Sequence, residues 1–501
     1  MTKQHIKLMI NEDNLLNRLG EAFTNKDTFI KEIMQNAQRS GATKLAISTT
    51  DNTLSFTDNG NGINDFQSLL TVAESGWDIE TIKKTNAFGI GFLSSIYASD
   101  VVEVKSGHQF VRFKTQDLLK GHSVKVETLF SKVKGTVVIL TGTFKTDNLD
   151  SYTIGFGIPV TINGVNSPRK NALNKDKFIK TDFGWIKLTD EYTTIGSKLY
   201  LQGQEVFDEP YMFGPRNIVH LEDATFLARL PDRDKLIDEK EVVDKIHNWI
   251  QRYYHHKAQQ MLDAINKQSN FDTIENAFAF ARKWNKKALN KLDFIVASDF
   301  IDTDDLDLRI GHHDHACDTN WNTLSGIFTK DELLNRPIFR TDQDYISEEQ
   351  MDCFTFCKLS KALIFNNSVN NYDEDHWLFD RAFYADDATL AVEAINAHKK
   401  VKGPDISWFW KEAHTTFCTG YHLTLTFSSH GTNQKISTSV AQAQDSIFSH
   451  AMFEYFITDA SSNYGALEAL FSSIGFFNEF SHDEVRRRHE QRCIYGFYSQ
   501  T

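Results

Sequence analysis

The chain has 501 residues, 41% of them hydrophobic and 24% charged, which is the profile of a soluble globular protein with real cores in about three domains. A formal net charge of −13 argues against a surface that binds nucleic acid everywhere, while leaving room for a local basic groove. No run of about 18 apolar residues occurs, so no membrane span is expected; five Cys give no disulfide framework, and no apolar leader core follows Met1, which together predict a reducing, cytoplasmic setting.

In chain order, the first predicted element is a helix over Asn25 to Ser40, where Phe29, Ile30, Ile33, Met34 and Ala37 recur at helical spacing. Strands are predicted at Lys44 to Thr49 and Thr53 to Thr57, with a turn at Asp51-Asn52. A glycine-started helix is predicted at Gly89 to Ala98. Separate strands follow at Val101 to Lys105, Phe110 to Lys114, Val124 to Glu127 and Thr136 to Leu140. Val160 to Ile162 leads into Asn163-Gly164, a strong hairpin signal. Further strands are predicted at Trp185 to Leu188, Lys198 to Leu201 and Ala224 to Leu230, then a long amphipathic helix over about Glu239 to Lys267. The remainder reads as helix-rich, with a few strands such as Tyr421 to Phe427.

Four short elements in the first segment carry candidate chemistry. Glu32 and Asn36 lie four apart, which places a carboxylate and a carboxamide on one helix face. Such a carboxylate can deprotonate a water, and such a carboxamide oxygen can ligate Mg²⁺. Asp58-Asn59-Gly60-Asn61-Gly62 follows a strand directly; the Asp can accept from an exocyclic amine, and the glycines let a flat base approach the backbone. Phe88-Gly89-Ile90-Gly91-Phe92-Leu93-Ser94-Ser95 opens a helix, where free N–H groups suit an anion. Lys134-Gly135-Thr136 starts an apolar strand. Taken singly, each has an ordinary explanation: a solvated pair, a Gly-rich turn, a helix start, a hairpin.

Together, in this order and at these separations, the four resemble the GHKL ATPase superfamily, whose members include DNA gyrase B, heat shock protein 90, histidine kinases and MutL. Thr24 to Ala37 resembles the first helix of the heat shock protein 90 chaperones almost residue for residue. Val72-Ala73-Glu74-Ser75-Gly76 resembles the start of their ATP lid, Phe88 to Phe92 with Ser94 their phosphate turn, and Gly135-Thr136 the strand motif that closes the adenine pocket. The resemblance covers about residues 15 to 140. It implies ATP and Mg²⁺ as cofactors. It further implies Glu32 as general base, Asn36 as the metal ligand and Asp58 as the adenine-reading carboxylate, with Gly60 and Gly62 at the base. Thr136 would support Asp58 through water, and Gly89, Gly91 and Phe92 would offer N–H groups to phosphate. Three departures stand out: Asn86 replaces the first Gly of the phosphate loop, Arg39 stands where the family often has Asp, and Gly41-Ala42-Thr43 runs straight into a strand, as in MutL-like and gyrase-like members.

The architecture expected is α+β: a Bergerat-type α/β sandwich over 1–150, a second, transducer-like α/β domain over 151–267, and a helix-rich module over 268–501. The second domain of this superfamily usually supplies a cation to the γ-phosphate, for which Arg233 is the first choice and Arg229 the second, with Lys83 or Lys84 as lid alternatives. The resemblance implies an ATP-gated homodimer acting on protein clients in the manner of a chaperone. The alternatives are a DNA-associated clamp of the MutL or MORC kind and a nucleotide-sensing interaction protein with incidental turnover. Elsewhere, His312-His313-Asp314-His315-Ala316-Cys317 reads as a solvated loop more than a zinc site. Cys353 and Cys357 read as buried small residues, and Arg486-Arg487-Arg488 as a solvated helix face.

Overall fold

The structure is a computed structural model that describes residues 18–21, 23, 27–71, 91–189, 195–210, 215–230, 233–303, 322–342, 350–367, 370–384, 388–395, 398–401, 415–417, 420–429 and 432–441. It is a multi-domain α+β architecture in two compact units, residues 1–254 and 255–501. The segments expected at 1–150 and 151–267 therefore lie mostly within one unit.

The first unit opens with helix α1, Thr28–Arg39, whose Phe29, Ile30, Ile33, Met34 and Ala37 are buried as their spacing predicts. It stops at Ser40 because Gly41 takes a left-handed φ of +75°, the conformation that ends helices. Strands β1 (Leu45–Thr49), β2 (Thr53–Asp58), β3 (Val101–Lys114), β4 (Glu127–Thr141), β5 (Val160–Ile162) and β6 (Val165–Asn166) form one sheet in the order β3-β4-β2-β1-β5-β6. Only β1 and β5 run parallel. Alternate residues Leu45, Ile47, Leu54, Phe56, Val102, Val104, Val138 and Leu140 share one core with α1 and with Leu93 and Ile96 of α2 (Leu93–Ala98). One sheet face is thus buried under helices, which is a general α/β sandwich. Asn163 and Gly164 turn between β5 and β6 with φ of +50° and +81°, the paired positive angles of a type I′ hairpin.

Two expectations are corrected here. The four separate strands predicted between Val101 and Leu140 are two long ones, with the short helix α3 (Thr115–Leu119) between them. Gly107 at φ +58° and Gly135 at +73° absorb register shifts as bulges, so the chain kinks without leaving the sheet. Lys134-Gly135-Thr136 accordingly lies inside β4 and does not start it. The strand expected at Ala224 to Leu230 is also absent. Thr225 N and Phe226 N bond back to Glu222 O, and only Ala228 pairs, with Leu236, because the chain reverses at Arg229.

A second sheet of the first unit has the order β10-β9-β11-β8-β7, from β7 (Ile179–Thr181), β8 (Gly184–Lys187), β9 (Ser197–Leu201), β10 (Gln204–Asp208) and β11 (Asn217–Leu221). Helix α4, Glu239–Asp263, follows and runs across the unit boundary. Its Val242, Ile246, Ile250, Tyr254, Ala258 and Leu262 form one buried stripe at a spacing of four.

The second unit was expected to be helix-rich; its described part is mixed α/β. Helix α5 (Phe271–Trp284) precedes β12 (Phe294–Val296), β13 (Phe300–Ile301) and β14 (Ile327–Thr329). After the short α6 (Lys330–Leu333), β15 (Ile338–Thr341), α7 (Met351–Ser360) and β16 (Leu363–Asn366) make a parallel crossover. With β17 (Ala382–Tyr384) they build the sheet β13-β16-β15-β17. Strands β18 (Thr389–Ile395), β21 (Gly420–Ser429) and β22 (Thr432–Ala441) form an antiparallel sheet. A further pair is made by β19 (His398–Val401) and β20 (Thr415–Phe417). Buried Leu423, Leu425 and Phe427 alternate with the less buried Thr424 and Thr426 along β21, the period-two pattern of a strand with one covered face. Cys353 and Cys357 are fully buried, as read from the sequence; His312 to Cys317 and Arg486 to Arg488 lie outside the described residues.

A buried ionic cluster joins three separate segments of this unit. Arg282 of α5 bonds both oxygens of Asp299 at 2.6 and 2.5 Å, Asn371 donates to the same carboxylate at 3.1 Å, and Tyr372 O–H donates to it as well. The guanidinium also lies 5.5 Å from the Tyr372 ring centroid. Removing one partner leaves a buried charge unpaired, which costs about 3–5 kcal/mol. Arg282→Met is therefore expected to lower the denaturant midpoint of the full chain's second-unit transition, and Arg282→Met with Asp299→Leu to recover part of that loss. An unchanged midpoint for the single variant would show that the pair contributes nothing.

Candidate functional site

Two corners of the first unit collect the residues singled out in the sequence. The first surrounds Asp58, at the end of β2. Its Oδ1 accepts from Gly60 N at 2.8 Å and from Thr136 N at 3.3 Å. Thr136 thus meets Asp58 directly through its backbone, where the resemblance implies a bridging water. Gly135 must be glycine: φ is +73°, and a Cβ would overlap the Asp58 carbonyl. Gly62, at φ +80°, packs on Ser106 Oγ. That hydroxyl donates to Gly135 O at 2.8 Å and accepts from Ile63 N at 2.8 Å, tying the Asp58-to-Gly62 loop to the β4 bulge. Gly60 lies against Ser40, where a Cβ would overlap the hydroxyl, so the end of α1 clamps the same loop. Burial raises the Asp58 carboxyl above its usual range, opposed by the N–H groups of Gly60 and Thr136 and by the Thr136 side chain.

The second corner surrounds Glu32, whose side chain is only 4% exposed. A Cβ on Gly91 would overlap Glu32 Oε2, so the glycine turn before α2 presses its backbone onto this carboxylate. Glu32 Oε1 forms an ion pair with Arg233 Nε at 2.9 Å, and Oε2 lies 4.0 Å from Arg39 Nη1. Arg233 reaches it from a tight loop rather than a strand-to-helix edge. Arg233 N bonds Arg229 O at 2.9 Å, Arg229 N bonds Lys235 O at 2.7 Å, and Arg233 holds a left-handed φ of +52°. For a non-glycine residue that conformation costs about 1–2 kcal/mol. Arg229, the second choice, instead faces outward near Asp234. Phe92 packs half-buried on the core beside Gly91, while Gly89, Lys83, Lys84, Asn86 and the lid start at Val72 to Gly76 lie outside the described residues.

Arg39 occupies the same helix face, one turn beyond Asn36. Its Nη1 donates to Asn36 Oδ1 at 3.1 Å, and its Nη2 to Gln35 Oε1 at 3.1 Å and Gln202 Oε1 at 2.6 Å. Gln202 comes from the β9–β10 turn, with φ +52° ahead of Gly203 at +78°. Burial depresses the Arg39 guanidinium to about 10, with Arg233 acting in the same direction and Glu32 and Asp223 opposing. Arg39 Nε is buried with no partner among the described residues.

These contacts bear on Mg²⁺. The carboxamide oxygen expected to ligate it is already the acceptor of a guanidinium. Like unit charges 4 Å apart repel by about 4 kcal/mol at a near-surface dielectric, and a divalent ion doubles that. With Arg39 bonded to its carboxamide oxygen, Asn36 does not fit a magnesium ligand in this arrangement. Among the described residues no group of three His, Cys, Asp or Glu could hold a metal ion. A cavity of about 500 Å³ lies elsewhere, lined by Lys31, Tyr152, Gln204, Asp234, Lys235 and Glu239 among others, and includes neither Glu32 nor Asp58.

Ser106, Gln202 and Arg39 were not assigned functional roles from sequence. For Gln202 a signal existed, a Gln-Gly pair between two strand patterns; for Ser106, in mid-strand, none did.

No family model matches the chain, and no curated protein matches it. Among solved structures it is similar to the N terminal domain of a DNA repair protein, at 14% identity and a TM-score of 0.31, covering 50% of this chain and 99% of that one. At that distance neither fold nor function transfers. Among the described residues no helix is long and apolar enough to cross a membrane.

The raised Asp58 carboxyl has a consequence for stability. A raised folded-state value means that the folded protein holds the proton more tightly, so stability falls as pH rises through that value and the charged form is penalised at pH 7. Asp58→Asn keeps an acceptor for Gly60 and Thr136 but removes the charge. Its Tm is expected to equal or exceed that of the parent at pH 7, with the difference shrinking toward pH 3.5. A Tm several degrees lower at pH 7 would contradict this.

Proposed function

We propose that the first unit binds ATP and hydrolyses it, as a member of the GHKL class. The observation that carries the reading is the convergence on one buried carboxylate, Glu32, of the Gly91 turn and the Arg233 loop, beside a second corner where Asp58 ends a strand among Gly60, Gly62 and Gly135. Asp58 accepts the exocyclic amine of adenine. A carboxylate with two oxygens has the capacity for this beyond the two N–H groups it already receives. Gly62 leaves room at the base's edge. The resemblance assigns the backbone N–H groups of Gly89, Gly91 and Phe92 to the phosphates.

Hydrolysis requires Glu32 to exchange partners. A guanidinium suits a phosphoryl group, whose three oxygens carry more charge than a carboxylate. The γ-phosphate draws Arg233 off Glu32 and releases the carboxylate to take a proton from the attacking water. The Arg233 guanidinium then stabilises the charge that develops on the transferred group. The strained φ of Arg233 suits such a residue, since strain at a site is retained where a second arrangement relieves it. The resemblance adds that ATP closes a homodimer and that hydrolysis reopens it, with protein clients as the substrate of the cycle.

Glu32→Ala is expected to keep ATP affinity and lose about 10²–10⁴-fold in turnover. With saturating ATP it should accumulate a closed dimer that crosslinking and solution scattering detect. Arg233→Ala is expected to slow turnover with little change in affinity. Wild-type turnover in Glu32→Ala removes the base from Glu32, and a monomer of unchanged shape removes the dimer gate.

A further inference from the structure

The corner at Arg39 differs in kind from a metal-assisted phosphate site, and this inference rests on the nucleotide reading above. We propose that this site binds the nucleotide's phosphates without a divalent ion, the guanidinium of Arg39 standing where the metal would stand.

Four observations carry it. Arg39 donates to Asn36 Oδ1, the oxygen that would otherwise ligate the ion. Its side chain is only 5% exposed and is fixed by three side-chain hydrogen bonds, to Asn36, Gln35 and Gln202, so it is held in place before any ligand arrives. One of its N–H groups, at Nε, is buried without a partner among the described residues. Such a group costs free energy until an acceptor reaches it, and phosphate oxygens are strong acceptors. Finally, Arg39 and Arg233 both flank Glu32, whose other side is closed by the Gly91 backbone, so two fixed positive charges stand where the phosphate turn meets α1.

A divalent ion neutralises phosphate charge and orients its oxygens. The guanidinium fork does both: it is always charged and its N–H groups lie in one plane at fixed angles. The guanidinium is already dehydrated in the folded protein, whereas Mg²⁺ gives up its waters reluctantly when it binds. A magnesium ion carried in on the nucleotide would be repelled by Arg39. The free nucleotide is therefore the form preferred, which is the opposite of a metal-dependent site.

The test is calorimetric titration of the full chain with ATP, once with millimolar Mg²⁺ and once with excess EDTA, repeated for Arg39→Asp and Arg39→Lys. The parent should bind ATP in EDTA as tightly as in Mg²⁺, or more tightly. Arg39→Asp should lose at least tenfold in EDTA and recover affinity when Mg²⁺ is added. Arg39→Lys, which keeps the charge and loses the fork, should fall between the two in EDTA and gain nothing from Mg²⁺. Thermal melts check that each variant folds; if Arg39→Asp does not, the Lys variant and the parent carry the comparison. Parent affinity weaker in EDTA than in Mg²⁺ overturns the proposal while leaving the nucleotide reading intact. Absence of binding in both buffers overturns both.

Discussion

Glu32 is an acidic residue on the buried face of a helix, and much of the first unit is arranged around keeping it there. An ionised carboxylate taken out of water costs several kcal/mol unless paired. Helix α1 alone cannot supply that pairing: within it only Arg39 approaches, at 4.0 Å. The close partner is Arg233, which arrives from a loop beyond the second sheet at 2.9 Å. The loop beyond the second sheet is therefore tied to α1 through a charge pair. Gln202 makes a second tie to α1 by accepting from Arg39, and its backbone N–H is held by Asp223 at 3.1 Å.

The Asp58 corner works by different means. There the groups are held by backbone shape: positive φ at Gly62 and Gly135 brings two chain segments so close that neither tolerates a Cβ, and Ser106 bonds to both. The result is a rigid polar notch at the end of β2, with one titratable group in it. The contrast suits the proposed chemistry. Recognising a base needs fixed acceptors at fixed spacing, whereas hydrolysis needs a carboxylate whose ion pair can be exchanged.

The sequence made parts of this legible for identifiable reasons. Helical periodicity placed Glu32 and Asn36 on one face, and the apolar residues between them supplied the core. Asn163-Gly164 announced its own hairpin. The Asp58 loop and the glycines at 62 and 135 were visible as a set only because their order and separations resemble a family. Other features depend on the fold closing. Arg233 could be named as a candidate, but its reach to Glu32 depends on a left-handed residue in a loop that propensity does not predict. The glycine bulges in β3 and β4 looked like strand ends, since Gly marks both. The role of Arg39 was hidden because one of the three side chains that fix its guanidinium, Gln202, is remote in sequence. In the second unit, Arg282, Asp299 and Tyr372 are too far apart in sequence for any local pattern to join them, and the short strands of its described part, such as Phe294–Val296, are buried throughout and so carry no alternation.

The proposed nucleotide site stands or falls with the reading of adenine by Asp58 in this notch. The most direct measurement is a competition titration of the unmodified full chain with ATP and GTP, both in EDTA. Adenine presents an exocyclic amine that donates to a carboxylate, while guanine presents a carbonyl oxygen at that position, which would meet Asp58 acceptor to acceptor. An unpaired or opposed buried acceptor costs about 1–3 kcal/mol, more where charge is involved, which corresponds to at least about tenfold. ATP is expected to bind, with GTP weaker by at least that factor. Equal affinity for the two nucleotides, or tighter binding of GTP, would contradict it.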